Sequence, residues 1–163
     1  MNRPHAIALA ASALLGLGAA VAATSPAGAG YPHGDRRWTH VMSMIIEPGH
    51  ALAGLVEGTH HLYANEKALR GYRQRPFADG SVIVFDLLAT VHGDKAISEG
   101  ARKAVIVMRK DARRHAATGG WEYQVYGGAD GRKAQLDAAA AQACHDCHTS
   151  QRARDFVFSD WRE

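Results

Sequence analysis

Cysteine is scarce in this chain: two residues in 163, Cys144 and Cys147, three positions apart. So low a count excludes a multi-disulfide scaffold and a four-cysteine zinc site. Long apolar runs are missing after the first 29 residues. No later segment approaches the ~20 apolar residues that a membrane-spanning helix needs. A strong excess of charge is lacking too, with 19 Lys and Arg against 16 Asp and Glu. The arginine clusters at 70–75, 109–114 and 152–154 read as solvated faces. No aromatic-interleaved basic stripe or nucleic-acid motif accompanies them. No methionine follows His148 either, an absence that matters below.

What is present begins with a segment separate from the rest. Arg3 gives a basic start, Ala6 to Ala23 is almost wholly Ala, Leu, Gly and Val, and small residues follow. That pattern predicts a secretory signal peptide over residues 1–29, cleaved after Ala23 or Ala29. The Ala/Gly richness and early small-residue sites argue against a membrane anchor. The expected product is periplasmic or otherwise extracytoplasmic, free of the membrane, and a single domain over residues 30–163. Losing Arg3 and no acid leaves 18 basic against 16 acidic residues.

Within the domain, residues 30–37 read as a polar lead-in. Val41 to Ile46 predicts a strand closed by Pro48-Gly49, and Leu52 to Tyr63 a second strand weakened by Gly54 and Gly58. Asn65 to Tyr72 predicts a short helix capped by Asn65. After the Asp79-Gly80 turn, Ser81 to Val91 is the clearest strand. Its odd positions, Ile83, Phe85, Leu87, Ala89 and Val91, make one apolar face, and its even positions a mixed one. Further strands are expected over Lys103 to Arg109 and Trp121 to Tyr126, with turn residues at Gly127 to Gly131. Six alanines in Ala134 to Ala143 favour a helix on which Leu136, Ala140, Cys144 and Cys147 share a face. The expected class is α+β: a mainly antiparallel sheet with a few helices, the C-terminal one carrying the cysteines.

Cys144-His145-Asp146-Cys147-His148 fits Cys-x-x-Cys-His, the attachment signature of a c-type haem. Two thiols about one helical turn apart can each add to one haem vinyl group, and the adjacent histidine supplies an axial imidazole to iron. The rivals are weaker. A redox Cys-x-x-Cys would want a thioredoxin-like βαβ setting, and zinc would need a second ligand pair. The adjacent His60 and His61 are awkward chelators. One covalent haem c is therefore expected, bound through Cys144 and Cys147 with His148 on the iron. The sixth ligand is open: Met42, Met44 and Met108 all fall in expected strands and read as core. An open iron binds small gases, whereas a closed one mainly passes electrons.

With this motif, the segment Phe77-Ala-Asp-Gly-Ser-Val-Ile-Val-Phe85, Gly120-Trp121 and the closing Asp155-Phe-Val-Phe158, the chain resembles the cytochrome P-460 and cytochrome c′-β family from about Trp38 to Arg162. The resemblance implies a mainly antiparallel fold, a homodimer, and a five-coordinate haem c with a distal pocket built by the sheet. In hydroxylamine-oxidising members a lysine in the strand after the Asp-Gly turn is bonded to the haem edge. The matching position here is Phe85, which has no nucleophilic atom, and Lys95 and Lys103 lie beyond that strand as read. The departure points to the c′-β branch, with an apolar distal pocket that binds nitric oxide and also takes carbon monoxide. Phe85 stands either in that distal wall or simply in the sheet core. His60, near where cross-linked members place an arginine, stands either in the pocket or in solvent. His61 is expected on the opposite face, and His145 in solvent. The alternative functions are a hydroxylamine-oxidising enzyme and a periplasmic electron carrier working with an unidentified redox partner.

Overall fold

The computed structural model describes residues 30–127 and 132–162; the expected signal peptide and most of the Gly127–Gly131 turn lie outside them. Six strands, β1 (Thr39–Ile46), β2 (Gly58–Ala64), β3 (Val82–Gly93), β4 (Ala96–Lys110), β5 (Trp121–Gly127) and β6 (Lys133–Ala134), form one sheet in the order β1-β2-β3-β4-β5-β6. Every pair is antiparallel, so the sheet is a meander in which each strand pairs with its neighbours in sequence. Three α-helices accompany it: α1 (Ala53–Val56), α2 (Glu66–Arg73) and α3 (Ala138–His148). The α+β class holds. No described helix is long and apolar enough to cross a membrane.

Several expected boundaries move, most of all that of β4, which begins at Ala96 rather than Lys103. The strand expected within Leu52 to Tyr63 occupies its second half, from Gly58, because Ala53 to Val56 form a helical turn. Gly58 has φ +134, and a Cβ there would lie 2.1 Å from the Leu88 carbonyl oxygen; glycine lets β2 approach β3. The helix expected from Ala134 starts at Ala138. The Gln124 side-chain oxygen accepts from Leu136 N (2.9 Å), and Gln135 N donates to the Val125 carbonyl (2.9 Å). These bonds keep 135–136 out of the helix despite its alanine content, so Leu136 is not on α3. Asp137 instead caps it, accepting from Ala140 N at 2.9 Å.

The two faces of the sheet differ. Directly paired residues share a face, and successive residues alternate. One face carries Ile83, Phe85 and Leu87 of β3 with Leu62 and Ala64 of β2. On it Ala68, Leu69 and Tyr72 of α2, Phe77, and Phe156 and Val157 of the C-terminal segment pack with Trp121 and Tyr123 of β5, all buried. The rings of Tyr72, Phe77 and Trp121 meet edge-to-face at 5.1 and 5.4 Å. Each such burial contributes about 1.5–3 kcal/mol. Gly71 makes the α2 contact possible, since a Cβ would stand 2.2 Å from Phe77 Cδ1. Asn65 caps α2 as expected, and its Oδ1 accepts from both Ala68 N (2.9 Å) and Val82 N (3.1 Å). One side chain thus joins the helix to the start of β3.

The opposite face is buried too, against the expectation of a mixed surface. Val84, Val105, Val107 and Tyr126 pack there under Tyr31 of the lead-in and Trp38 just after it. Asp86, fully buried, is held by Arg36 Nε (2.6 Å) and Arg102 Nε (2.7 Å). The lead-in is therefore a cover for this face rather than a polar tail.

Candidate haem site

Helix α3 delivers the motif. It packs on β5, with Ala141 and Cys144 against the core that contains Tyr123. Cys144 is half-buried and Cys147 exposed, and the two are not joined in a disulfide. Burial pushes the Cys144 thiol up, with Cys147 adding to it. Residues three apart on a helix hold their Cβ atoms about 5–6 Å apart. An unstrained disulfide wants about 3.5–4.5 Å. The helix therefore presents two separate thiols rather than a cystine.

His148 closes the helix in a fixed orientation. Its Nδ1 lies 2.7 Å from the Phe156 carbonyl oxygen, which can only accept, so Nδ1 carries the proton. Burial keeps the ring below the usual histidine range, hence neutral. Nε2 is left with a free lone pair, the form a metal-binding imidazole needs. Tyr123 (5.1 Å) and Phe158 (4.9 Å) meet the ring edge-on and fix its plane. This donor set fits a haem: two thiols at the attachment spacing and an oriented neutral imidazole beside them.

His145, expected in solvent, is buried. Its ring sits 5.0 Å from that of Phe156 and 6.0 Å from that of Tyr123, with Nδ1 3.5 Å from the Tyr123 hydroxyl. The reason is the helix turn, which points position 145 at the sheet while Cys147 faces out. Tyr123 contacts both histidines, and burial raises its hydroxyl pKa, so it stays a neutral phenol. Its role was not legible beforehand; only the alternation of Trp121 to Tyr126 hinted that it faces inward.

The sheet face turned towards α3 carries a cross-strand row, Met42, Leu62, Phe85, Ile106 and Val125, one residue from each of five strands. Met42, Phe85, Ile106 and Val125 are half-buried. The next row holds Met44, His60, Leu87 and Ala104. Phe85 and His60 thus share the α3 side, with ring centroids 4.2 Å apart. His60 is 1% exposed, so it is not the solvated strand histidine that was one of its two readings. No side chain hydrogen-bonds either ring nitrogen, and the Val56 backbone gives only a weak contact. Burial, helped by His61, pushes its pKa down to about 4, and the Val56 backbone offsets this only in part. His61 faces the other side as expected, its Nδ1 2.7 Å from Ser43 Oγ.

The candidate sixth ligands and cross-linking lysines are also located. Met42 and Met108 are half-buried against the core, and Met44 is 43% exposed. Lys95 sits in the β3–β4 turn, and Lys103 Nζ donates to the Glu57 carbonyl. Lys110, whose strand position puts it on the Met108 side, is buried and paired with Asp155.

Against known families, residues 32–159 match the family model described as cytochrome P460. A search of curated proteins found no match to the chain.

Proposed function

Because the chain belongs to the cytochrome P460 family and is therefore a haem-binding cytochrome, we propose that it carries one covalent haem c outside the cytoplasm and binds small uncharged gases, nitric oxide above all, at an open face of the iron. In this reading Cys144 and Cys147 would hold the haem through two thioethers, and His148 would supply a nitrogen to its iron. Haem supplies an iron that can take a diatomic gas at a free coordination position. The chain's own residues do the rest. His148 offers Nε2 because the Phe156 carbonyl holds the proton on Nδ1. Phe85, Ile106 and Val125 give an apolar wall that disfavours water. His60, neutral at physiological pH, is a polar group beside that wall, able to donate to or accept from a bound gas.

The observation that carries the reading is His60 itself. A buried imidazole beside Phe85 whose nitrogens find no more than a weak contact with the Val56 backbone is costly unless something else completes its hydrogen bonding. Export rests on the pattern of residues 1–29. A homodimer, and a redox partner that reduces the iron, belong to the same proposal.

Hydroxylamine oxidation of the cross-linked kind finds less support. Phe85 cannot form the bond, and Lys103 and Lys110 are held by Glu57 and Asp155. An electron carrier would need a fixed sixth ligand, from His60 or a methionine. The deciding experiment is the optical spectrum of the reduced protein with and without nitric oxide or carbon monoxide. A high-spin ferrous spectrum that changes with either gas is expected. A six-coordinate spectrum indifferent to both gases overturns the proposal in favour of the carrier.

A further inference from the structure

We infer that Asp155 is a positioning residue for the iron-binding histidine, acting through the Phe156 carbonyl and anchored by Lys110. The inference rests on the haem reading above and adds to it the device that orients His148.

The backbone here is unusual. Asp155 and Phe156 are consecutive left-handed residues, at φ +54 and +65. Aspartate tolerates that conformation, but for a bulky phenylalanine it is a true outlier. Such geometry persists only where the surroundings over-determine it. They do so through the aspartate. Its Oδ1 accepts from Lys110 Nζ at 2.6 Å, and its Oδ2 from Phe77 N at 2.9 Å. Its carbonyl accepts from Trp121 Nε1 at 2.9 Å. Lys110 is fixed in turn: its ammonium donates to the Gly119 carbonyl (3.0 Å) and lies over the Trp121 ring. The Phe156 ring tucks against Gly119, where a Cβ would stand 2.3 Å from Phe156 Cε2.

All of this converges on one oxygen. The turn aims the Phe156 carbonyl at His148 Nδ1, 2.7 Å away. Stability alone does not account for the arrangement, because a buried ion pair is often matched or bettered by apolar residues of similar volume. A ligand histidine, by contrast, depends on the partner of its second nitrogen for orientation and basicity. Lys110 and Asp155 thus set the His148–iron bond without touching the iron.

The test uses the haem-loaded protein and its Asp155→Asn, Asp155→Gly, Lys110→Met and Lys110→Arg variants. Resonance Raman of the reduced form reads the iron–histidine stretch, and a redox titration reads the potential. Asp155→Asn and Lys110→Met are expected to lower the stretching frequency and raise the potential, since a looser carbonyl leaves a less basic imidazole. Asp155→Gly eases the left-handed backbone but removes the tether, so it should shift the band even where thermal stability holds. Lys110→Arg should restore the wild-type band. Haem-loaded Asp155→Gly and Lys110→Met proteins with an unmoved band and potential overturn the inference alone. A wild-type chain without covalent haem overturns the haem reading and this inference together. If the Asp155 variants fail to fold, Lys110→Met against Lys110→Arg decides the question by the same band.

Discussion

The His60 ring lies 4.2 Å from that of Phe85, and no side chain hydrogen-bonds either of its nitrogens. A polar group in that state destabilises the fold and is available to a ligand. Replacement by leucine separates the two consequences. His60→Leu should raise stability at pH 7 by about 1 kcal/mol, because the desolvation cost disappears. The same variant should shift the C–O stretch of the carbon monoxide adduct to higher frequency, as a distal hydrogen bond is lost. Infrared spectroscopy and urea denaturation check the pair; an unchanged C–O stretch removes His60 from the pocket.

Acid should weaken the fold through the same residue. His60 has a folded pKa of about 4 against 6.5 for the free ring, so the unfolded chain binds its proton first as pH falls. The contribution is complete above about pH 6.5, declines through the interval down to pH 4, and is constant below. It amounts to no more than about 3 kcal/mol. Asp35, raised by burial, acts with the opposite sign, gaining from protonation in acid. Denaturation midpoints of wild type and His60→Leu between pH 7 and 4 isolate the histidine: the gap between them should widen as pH falls. A constant gap would show that the ring is solvated.

Attachment is tested by mass. A haem-containing peptide spanning 144–148 is expected from a digest of the holoprotein, with none elsewhere. Cys144→Ala and Cys147→Ala should each keep one thioether, and the double variant should release its haem to acidic organic solvent. A haem-linked lysyl peptide would instead favour the hydroxylamine-oxidising alternative.

Packing at α2 should be intolerant of a single methyl. Gly71→Ala places a Cβ 2.2 Å from Phe77 Cδ1, and Phe77 is wedged between Tyr72 and Trp121. A loss of about 1–3 kcal/mol is expected from overpacking, read as a lower denaturation midpoint. Gly54→Ala, with nothing within 4 Å of the added carbon, serves as the control.

Features carried by adjacent residues are legible in the sequence itself. The alternation of Ser81 to Val91, the Asn65 cap and the Cys-x-x-Cys-His motif each declare themselves within a dozen positions. Features that depend on distant partners are not. The start of α3 is decided by Gln124, a strand residue whose side chain holds Leu136 out of the helix. His145 was misread because its burial comes from Tyr123 and Phe156, on segments to either side. Asp155 showed only as part of a short closing motif, while its partner Lys110 lies in another strand. Placing His60 and Phe85 side by side required the β2–β3 register, which pairs Leu62 with Phe85. Alternation alone could not supply it.

The cross-strand row Met42, Leu62, Phe85, Ile106 and Val125 draws one side chain from each of five strands, whereas Cys144, Cys147 and His148 all come from α3. The wall and the anchor are therefore inherited separately. A single codon change in the row alters about a fifth of that wall and leaves the thiols and imidazole where they were. Such a scaffold lets the lining of that face change in small steps while the segment Cys144 to His148 stays as it is.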